Sequence, residues 1–179
     1  MKKLLLILTS FLLAISLAAC GSSPPPAPPQ NQDDVDAVTS ASQKESSHPA
    51  DIINGLSEDG FWIFAILSDV TIGQELVVGG EFHQKDDPAQ DVFRKFALYA
   101  QDADRNVTAN YTLTVPQITV YSPNFRIQQG VVKGNIVVDA LGFELMDTVL
   151  EGDLTFTTQA QKDSASFDEN NITGAVSVM

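Results

Sequence analysis

The chain has 179 residues, with 10 lysines and arginines against 23 aspartates and glutamates, and its formal net charge is −13. This balance excludes nucleic-acid binding, which requires basic side chains that neutralise phosphates. A single cysteine excludes an internal disulfide. The acidic residues are spread along the chain, so we interpret them as a solvated surface, with cation binding as the alternative.

The first element is a hydrophobic leader at residues 1–19. Lys2 and Lys3 give it a positive start, residues 4–17 are almost wholly apolar, and the small residues Ala18 and Ala19 follow. This order is typical of a secretory signal peptide. The apolar stretch is shorter than the roughly 20 residues that a membrane-spanning helix needs.

The leader ends on Leu17-Ala18-Ala19-Cys20, which resembles the lipobox of bacterial lipoproteins. The resemblance implies that the Cys20 sulfur receives a diacylglyceryl group and that cleavage makes Cys20 the N-terminus. It also implies that the protein is extracytoplasmic and is anchored by acyl chains such as palmitate. The anchor would lie in the outer face of the cell membrane, or in the outer membrane where the cell has one. Gly21, in place of an aspartate, favours the outer membrane. The alternative is a plain secretion signal with an accidental cysteine.

Residues 20–50 are predicted to be a disordered linker behind the lipidated cysteine. Five prolines lie between residues 24 and 29, and such runs form extended polyproline II. Residues 31–50 are rich in Asp, Ser and Gln, so they bury too little apolar surface to offset the entropy of ordering. A helix over 33–45 is the alternative, and it has few large apolar side chains. Residues 51–179 remain as one folded domain.

An 18-residue repeat runs through the second half of the chain. The segment Phe125-Arg-Ile127 recurs as Phe143-Glu-Leu145, and Val132 is matched by Leu150. A second pattern has four copies, the last of them 22 residues after the third: Pro116-Gln-Ile118-Thr-Val120, Gly134-Asn-Ile136-Val-Val138, Gly152-Asp-Leu154-Thr-Phe156 and Gly174-Ala-Val176-Ser-Val178. The four extra residues predict an outward loop at 159–164.

This spacing predicts an all-β fold, a right-handed parallel β-helix (a β-solenoid) with coils of about 18 residues. Strand side chains alternate in and out, so like apolar residues of successive coils would stack in the interior. Gly134 and Gly152 would lie at recurring corners, where a residue without Cβ tolerates tight turns. The alternative is an antiparallel sandwich, although hairpin turn pairs such as Asn-Gly are lacking.

The first half of the folded part is less regular. The apolar run Phe61–Leu67 predicts either an earlier coil or a cap over one end of the stack. Residues 84–89 are charged and contain a proline, which predicts a protruding loop. Residues 91–97 predict a short helix or the start of a strand.

Residues 106–178 resemble the short-repeat right-handed β-helices, including the bactofilins, which form cytoskeletal polymers. The residues that carry the resemblance are those of the repeat, above all Gly134-x-Ile136-x-Val138 and Gly152-x-Leu154-x-Phe156. The leader, the lipobox and the long linker depart from that family. The resemblance implies a scaffold-like or binding role with no catalytic residues. It also suggests the hypothesis that the protein associates with itself end on.

Two segments carry candidate metal ligands. Asp102, Asp104 and Asn106 place oxygens at alternate positions, as at the start of a calcium loop, but Val107 and Leu113 stand where an EF-hand has glycine and glutamate. A solvated acidic turn is therefore favoured there. His83 with Asp86 and Asp87 is a weaker candidate of the same kind. We predict no metal and no cofactor.

Aromatic residues and carboxylates allow two further readings. Trp62, Tyr99, Tyr111 and Tyr121 could form a sugar-stacking surface, although aromatics in strands more often belong to the core. With two histidines in the chain, His-dependent catalysis has few candidate residues. A small hydrolase that uses a pair of facing carboxylates is a further alternative.

The sequence as a whole predicts a non-enzymatic, lipid-anchored protein of the cell envelope that acts as a structural or interaction module. It would present a rigid acidic face to a protein or cell-wall polymer, or associate with itself end on. The alternatives are a carbohydrate-binding lipoprotein and a small hydrolase.

Overall fold

The computed structural model describes residues 43–179, which belong to one compact unit. The predicted leader, the lipobox and the linker as far as residue 42 lie outside these residues. Within 43–179 the chain is mostly β-strand, which confirms the all-β class. The strands are β1 Gln43–Glu45, β2 Ile63–Ala65, β3 Val70–Thr71, β4 Leu76–Val78, β5 Arg94–Ala97, β6 Tyr99–Gln101, β7 Val107–Asn110, β8 Thr112–Val120, β9 Phe125–Gln128, β10 Val131–Val138, β11 Glu144–Met146, β12 Val149–Glu151, β13 Leu154–Phe156 and β14 Val176–Val178. The helices are α1 Pro49–Gly55 and α2 Gln159–Ser164, with 3-10 turns at Gln84–Asp86 and Glu169–Asn171.

Two parallel sheets carry most of these strands. The five-stranded sheet has the order β1-β2-β5-β9-β11, and the seven-stranded sheet follows β14-β13-β10-β8-β3, with β12 also paired to β10 and β4 to β8. In the described residues, the antiparallel pairing between strands is confined to the hairpin β6–β7. The antiparallel sandwich that we kept as an alternative is therefore wrong.

The copies of the predicted repeat pair with one another in register. Leu145 lies opposite Ile127, and Ile136 lies between Ile118 and Leu154. The last copy, which follows 22 residues after the third, pairs with it in the same way and places Phe156 opposite Val178. Each strand segment of the repeat therefore lies beside the next copy of the same segment.

The core is built from the inward side chains of both sheets. Phe125, Phe143 and Phe156 are buried, and the ring centroids of Phe125 and Phe143 are 6.5 Å apart, as are those of Phe143 and Phe156. Each fully buried Leu, Ile or Phe contributes about 1.5–3 kcal/mol relative to an exposed one. The stacked positions thus stabilise the fold together, because each one is covered by its equivalents.

The recurring glycines are required by close approach of neighbouring backbones. Gly134 has a φ of +147° at a register shift in β10, and a Cβ there would collide with the carbonyl oxygen of Val115. A Cβ on Gly152 would collide with the carbonyl oxygen of Gly134, and one on Gly174 with that of Gly152. The structure thus places these glycines one above another, at the positions that the repeat predicted.

Part of the predicted linker at residues 20–50 has regular secondary structure in the described residues. β1 lies inside the range 20–50 and pairs in parallel with β2. Backbone pairing needs no large apolar side chain, so the low apolar content of this segment does not prevent it from forming a strand. Pro49 then begins α1, a position where its missing N–H costs nothing.

Three predictions for irregular segments have definite outcomes. The run Phe61–Leu67 supplies β2, inside a sheet, so its interpretation as a cap is wrong. The end beside β2 is covered by α1 and the residue after it, because Ile52 of α1 and the following Leu56 are buried in the same core as Phe64 of β2. Residues 91–97 lead into β5, and the predicted loop at 84–89 is an exposed 3-10 turn.

The predicted outward loop at 159–164 is helical. Thr158 accepts a hydrogen bond from the backbone of Gln161, whose side chain bonds back to the N–H of Thr158. This capping box satisfies N–H groups that the first turn of a helix leaves unpaired. The longer last step of the repeat therefore accommodates α2, which has six residues.

Candidate functional site

The lipidation site lies outside the described residues. Cys20 and the lipobox residues Leu17, Ala18 and Ala19 precede residue 43. In the range 43–179, no helix is long and apolar enough to cross a membrane. The lipid anchor stays a prediction from the sequence.

The calcium-like segment is the turn of the β6–β7 hairpin. The carboxylate of Asp102 accepts hydrogen bonds from the N–H groups of Asp104 and Asn106, at 3.0 and 2.8 Å, and from the Asn106 amide at 2.9 Å. The Asn106 side chain is the largest cause of a lowered Asp102 pKa, followed by its backbone N–H. The spacing of oxygen-bearing residues thus shapes a tight turn, as the favoured alternative predicted.

His83, Asp86 and Asp87 do not converge on one point. His83 Nδ1 is 2.7 Å from the carbonyl oxygen of Gln90, which can only accept, so Nδ1 carries the proton. Asp87 accepts from the N–H of Ala89 at 2.9 Å. Among the residues that the structure describes, no group of three His, Cys, Asp or Glu side chains is placed to hold a metal ion.

The four aromatic residues do not form one sugar-stacking surface. Tyr111 is half-buried against the main core, and Tyr121 is 53% exposed elsewhere. Trp62 and Tyr99 are 9% and 5% exposed, and they line a groove together. The common aromatic surface that the sequence left as an alternative is therefore not formed by these four residues, although Trp62 and Tyr99 line the same groove.

This site, the basic groove, lies between the outer face of the five-stranded sheet and the β6–β7 hairpin. The register of β1, β2 and β5 brings Gln43, Ile63 and Lys95 into one row. The hairpin packs over the sheet through Tyr99, which contacts Ala65 and Ala97. The groove has a volume of about 380 Å³ and is lined by Gln43, Trp62, Ile63, Lys95, Tyr99, Gln101, Arg105 and Gln128.

Cations dominate the charge of the basic groove. Lys95 Nζ lies 3.4 Å from the Tyr99 hydroxyl and 5.7 Å from the centre of its ring. Arg126, the neighbour of Lys95 in β9, lies over Phe93 and pairs with Glu144. Burial lowers the pKa of Lys95, and the charge of Arg126 lowers it further. Within residues 43–179, the three ion pairs include neither Lys95 nor Arg105.

Three carboxylates line a second, smaller depression near β11. It has a volume of about 300 Å³ and includes Glu144, Asp147 and Asp168. Glu144 pairs with Arg126, Asp147 accepts from Gln129 at 3.4 Å, and Asp168 caps the 3-10 turn by accepting from Asn170 N at 2.9 Å. Each of these carboxylates thus has a local hydrogen-bond or ion-pair partner.

The C-terminal end of the fold leaves apolar side chains partly uncovered. No residue from 157 to 179 is fully buried. β14 is the last strand of the seven-stranded sheet and pairs on one side, with β13. We call this surface the open end, and its half-buried apolar residues are Phe167, Ile172, Val176 and Val178.

Arg94 is a structural residue that the sequence analysis missed. It is fully buried, and burial lowers its pKa to about 9, so it stays charged at neutral pH. Its guanidinium lies 4.1 Å from the centre of the Phe82 ring and donates to the carbonyl oxygens of Gly55, Ser57, Phe61 and Gly79. It thereby ties the end of α1 to the β2 and β4 segments. A lone arginine at the start of a strand gave no signal of this role.

Comparisons with protein-family models, with curated proteins and with solved structures give no match to this chain.

Proposed function

We propose that this chain is a non-enzymatic, lipid-anchored envelope protein whose residues 43–179 form a right-handed β-helix that acts as an interaction module. The parallel pairing of copies 18 residues apart supports a wound chain, because each copy must return to the same side of the fold. Crossovers between parallel strands are right-handed in nearly all proteins, which supports the hand. The leader and Cys20 support the anchor, since two or more acyl chains give stable membrane attachment.

The observation that carries the interaction role is the open end. The half-buried Phe167, Ile172, Val176 and Val178 lie beside the unpaired edge of β14. Unpaired strand edges are templates for pairing with another chain. A second copy of this chain is the occupant we propose, with the two open ends meeting around a twofold axis, since α1 covers the other end.

The association is tested on residues 20–179 carrying Cys20→Ser, which cannot be acylated. Light scattering is expected to show a dimer that dissociates on dilution. Ala175 and Met179 bond to β13, so the N–H of Val178 points to the free edge of β14. Val178→Pro should abolish the dimer and leave the circular dichroism spectrum unchanged, because it removes a donor from that edge.

The matched control is Val77→Lys, which removes a 46% exposed apolar side chain from β4, a strand that pairs with β8 on the side of the sheet away from β14. It should leave the dimer intact. A strict monomer at high protein concentration, or equal effects of the two substitutions, would contradict association through the open end.

The anchor is tested separately in cells. Cys20→Ala removes the thiol that would be acylated, so the protein should move from the membrane fraction to the soluble fraction after cell lysis. A Cys20→Ala protein that still sediments with membranes would contradict the lipoprotein proposal.

A further inference from the structure

The basic groove has the size and the lining of a site for a single small ligand. Its volume of about 380 Å³ is in the range of ligand pockets, which begin at about 300 Å³. Strands β2, β5 and β9 form its floor, and the β6–β7 hairpin forms a wall. Six of the eight lining residues lie in strands of the two sheets that form the groove, so the fold itself places them.

The charge of the groove is opposite to that of the chain. The chain has a net charge of −13, yet Lys95 and Arg105 both line this groove without a carboxylate ion-pair partner in the described residues. On the sheet face, Glu144 pairs with Arg126 and Glu45 lies two residues from Gln43 in β1. In the hairpin turn, Asp102 and Asp104 lie near Arg105 in the chain, and the Asp102 carboxylate accepts hydrogen bonds from Asn106. A site with uncompensated cations favours an anion, because the anion offsets the repulsion between them.

Neutral groups in the groove suit a ligand that also carries hydroxyls. Gln101 and Gln128 each provide an amide with two donor hydrogens and an acceptor oxygen. Trp62 and Tyr99 are nearly buried, so little of either ring is available for a sugar to stack on. The lining therefore matches a polar anion better than a neutral, stacked sugar.

We propose that the basic groove binds a small acidic sugar, with Lys95 and Arg105 holding its anionic group and Gln101 and Gln128 hydrogen-bonding its hydroxyls. A carboxylate and a phosphate present the same chemistry to these cations. This binding does not depend on the lipid anchor or on association through the open end.

The test uses the fluorescence of Trp62, because it is the single tryptophan of the chain and lines the groove. The full chain in mild detergent is titrated with glucuronate, with glucose 6-phosphate and with glucose. Saturable binding of either acid, weakened by added salt and absent with glucose, is the expected result. The acid that binds more tightly identifies the anionic group.

Two substitutions locate the binding. Arg105 has a φ of +68°, a conformation that asparagine tolerates, so Arg105→Asn removes the charge without straining the turn. It should weaken binding of the acid about tenfold or more, the cost of one charged hydrogen bond. Lys95→Gln should have a similar effect.

The control is Lys133→Gln, which removes an exposed cation that pairs with Glu151 outside the groove. It should leave the affinity unchanged. Failure of both acids to bind, equal binding of glucose, or an equal loss with Lys133→Gln would overturn the proposal.

Discussion

Single residues set the closest contacts of this fold, and the glycines show how. Gly134 combines a positive φ with a close carbonyl neighbour, whereas Gly152 is required by the lack of space alone. The repeat in the sequence indicated both positions, because glycine recurs at a constant distance. It did not indicate Arg94, whose four carbonyl partners come from distant segments of the chain.

The glycine stack predicts a specific loss of stability. Gly152→Ala should lower the free energy of unfolding by about 1–3 kcal/mol, because the new methyl group meets backbone that cannot move aside. Urea unfolding measures the change. The control is Gly73→Ala, where a Cβ has nothing within 4 Å and the cost should be below about 0.5 kcal/mol. Equal losses in the two variants would contradict a steric role.

At the scale of elements, the regular half was predictable and the irregular half was not. From β8 onward, like residues recur 18 residues apart, and 22 apart in the last step, because they stack, so the sequence shows the interval directly. Before β8, the loop at 79–93 and the β6–β7 hairpin interrupt the interval, so β1 and the pairing of β2 left no periodic signal. The basic groove was missed for the same reason, since its lining comes from β1, β2, β5, β9 and the hairpin.

The contact between α2 and the end of β10 predicts that the pKa of the Asp139 carboxyl is lowered in the folded chain. Asp139 accepts from Thr157 at 2.7 Å and from Gln161 at 2.8 Å, and these bonds lower its pKa, Thr157 most. A lower pKa in the folded chain means that the carboxylate favours folding above its unfolded pKa of about 3.9. This stabilisation is lost as the pH falls through the folded pKa.

NMR titration of the Asp139 carboxyl carbon should therefore give a midpoint below the unfolded value. Thr157→Val should raise that midpoint by removing the first donor. Thr155→Val is the matched control, because the Thr155 hydroxyl contacts Ser177 instead. A midpoint that does not change in Thr157→Val would show that this bond does not hold the carboxylate.

For the whole molecule, the proposed β-helix predicts that one repeat can be removed as a unit. Deleting residues 131–148 joins Gly130 to Val149, and the N–H of Val149 already donates to the carbonyl oxygen of Gly130. β8 would then meet β12 and β13 in the same register. The shortened chain should keep the circular dichroism of strands and unfold in urea in one cooperative step.

Deleting residues 131–147 is the control, with one residue fewer removed. It reverses the inward and outward faces of every later strand, because side chains alternate with a period of two. This variant should fail to fold. If both deletions fold equally well, the strict winding of the proposed β-helix is wrong.

The spacing between paired strands also bears on the order in which the molecule assembles. Asp69 bonds to Thr112 across 43 positions, whereas Arg126 reaches Glu144 across 18. Closing the longer interval costs roughly 0.8 kcal/mol more in chain entropy. A denatured chain should therefore regain its C-terminal turns first. Synthesis on the ribosome releases the N-terminal half first, so that half must wait for its partners while the protein is being made.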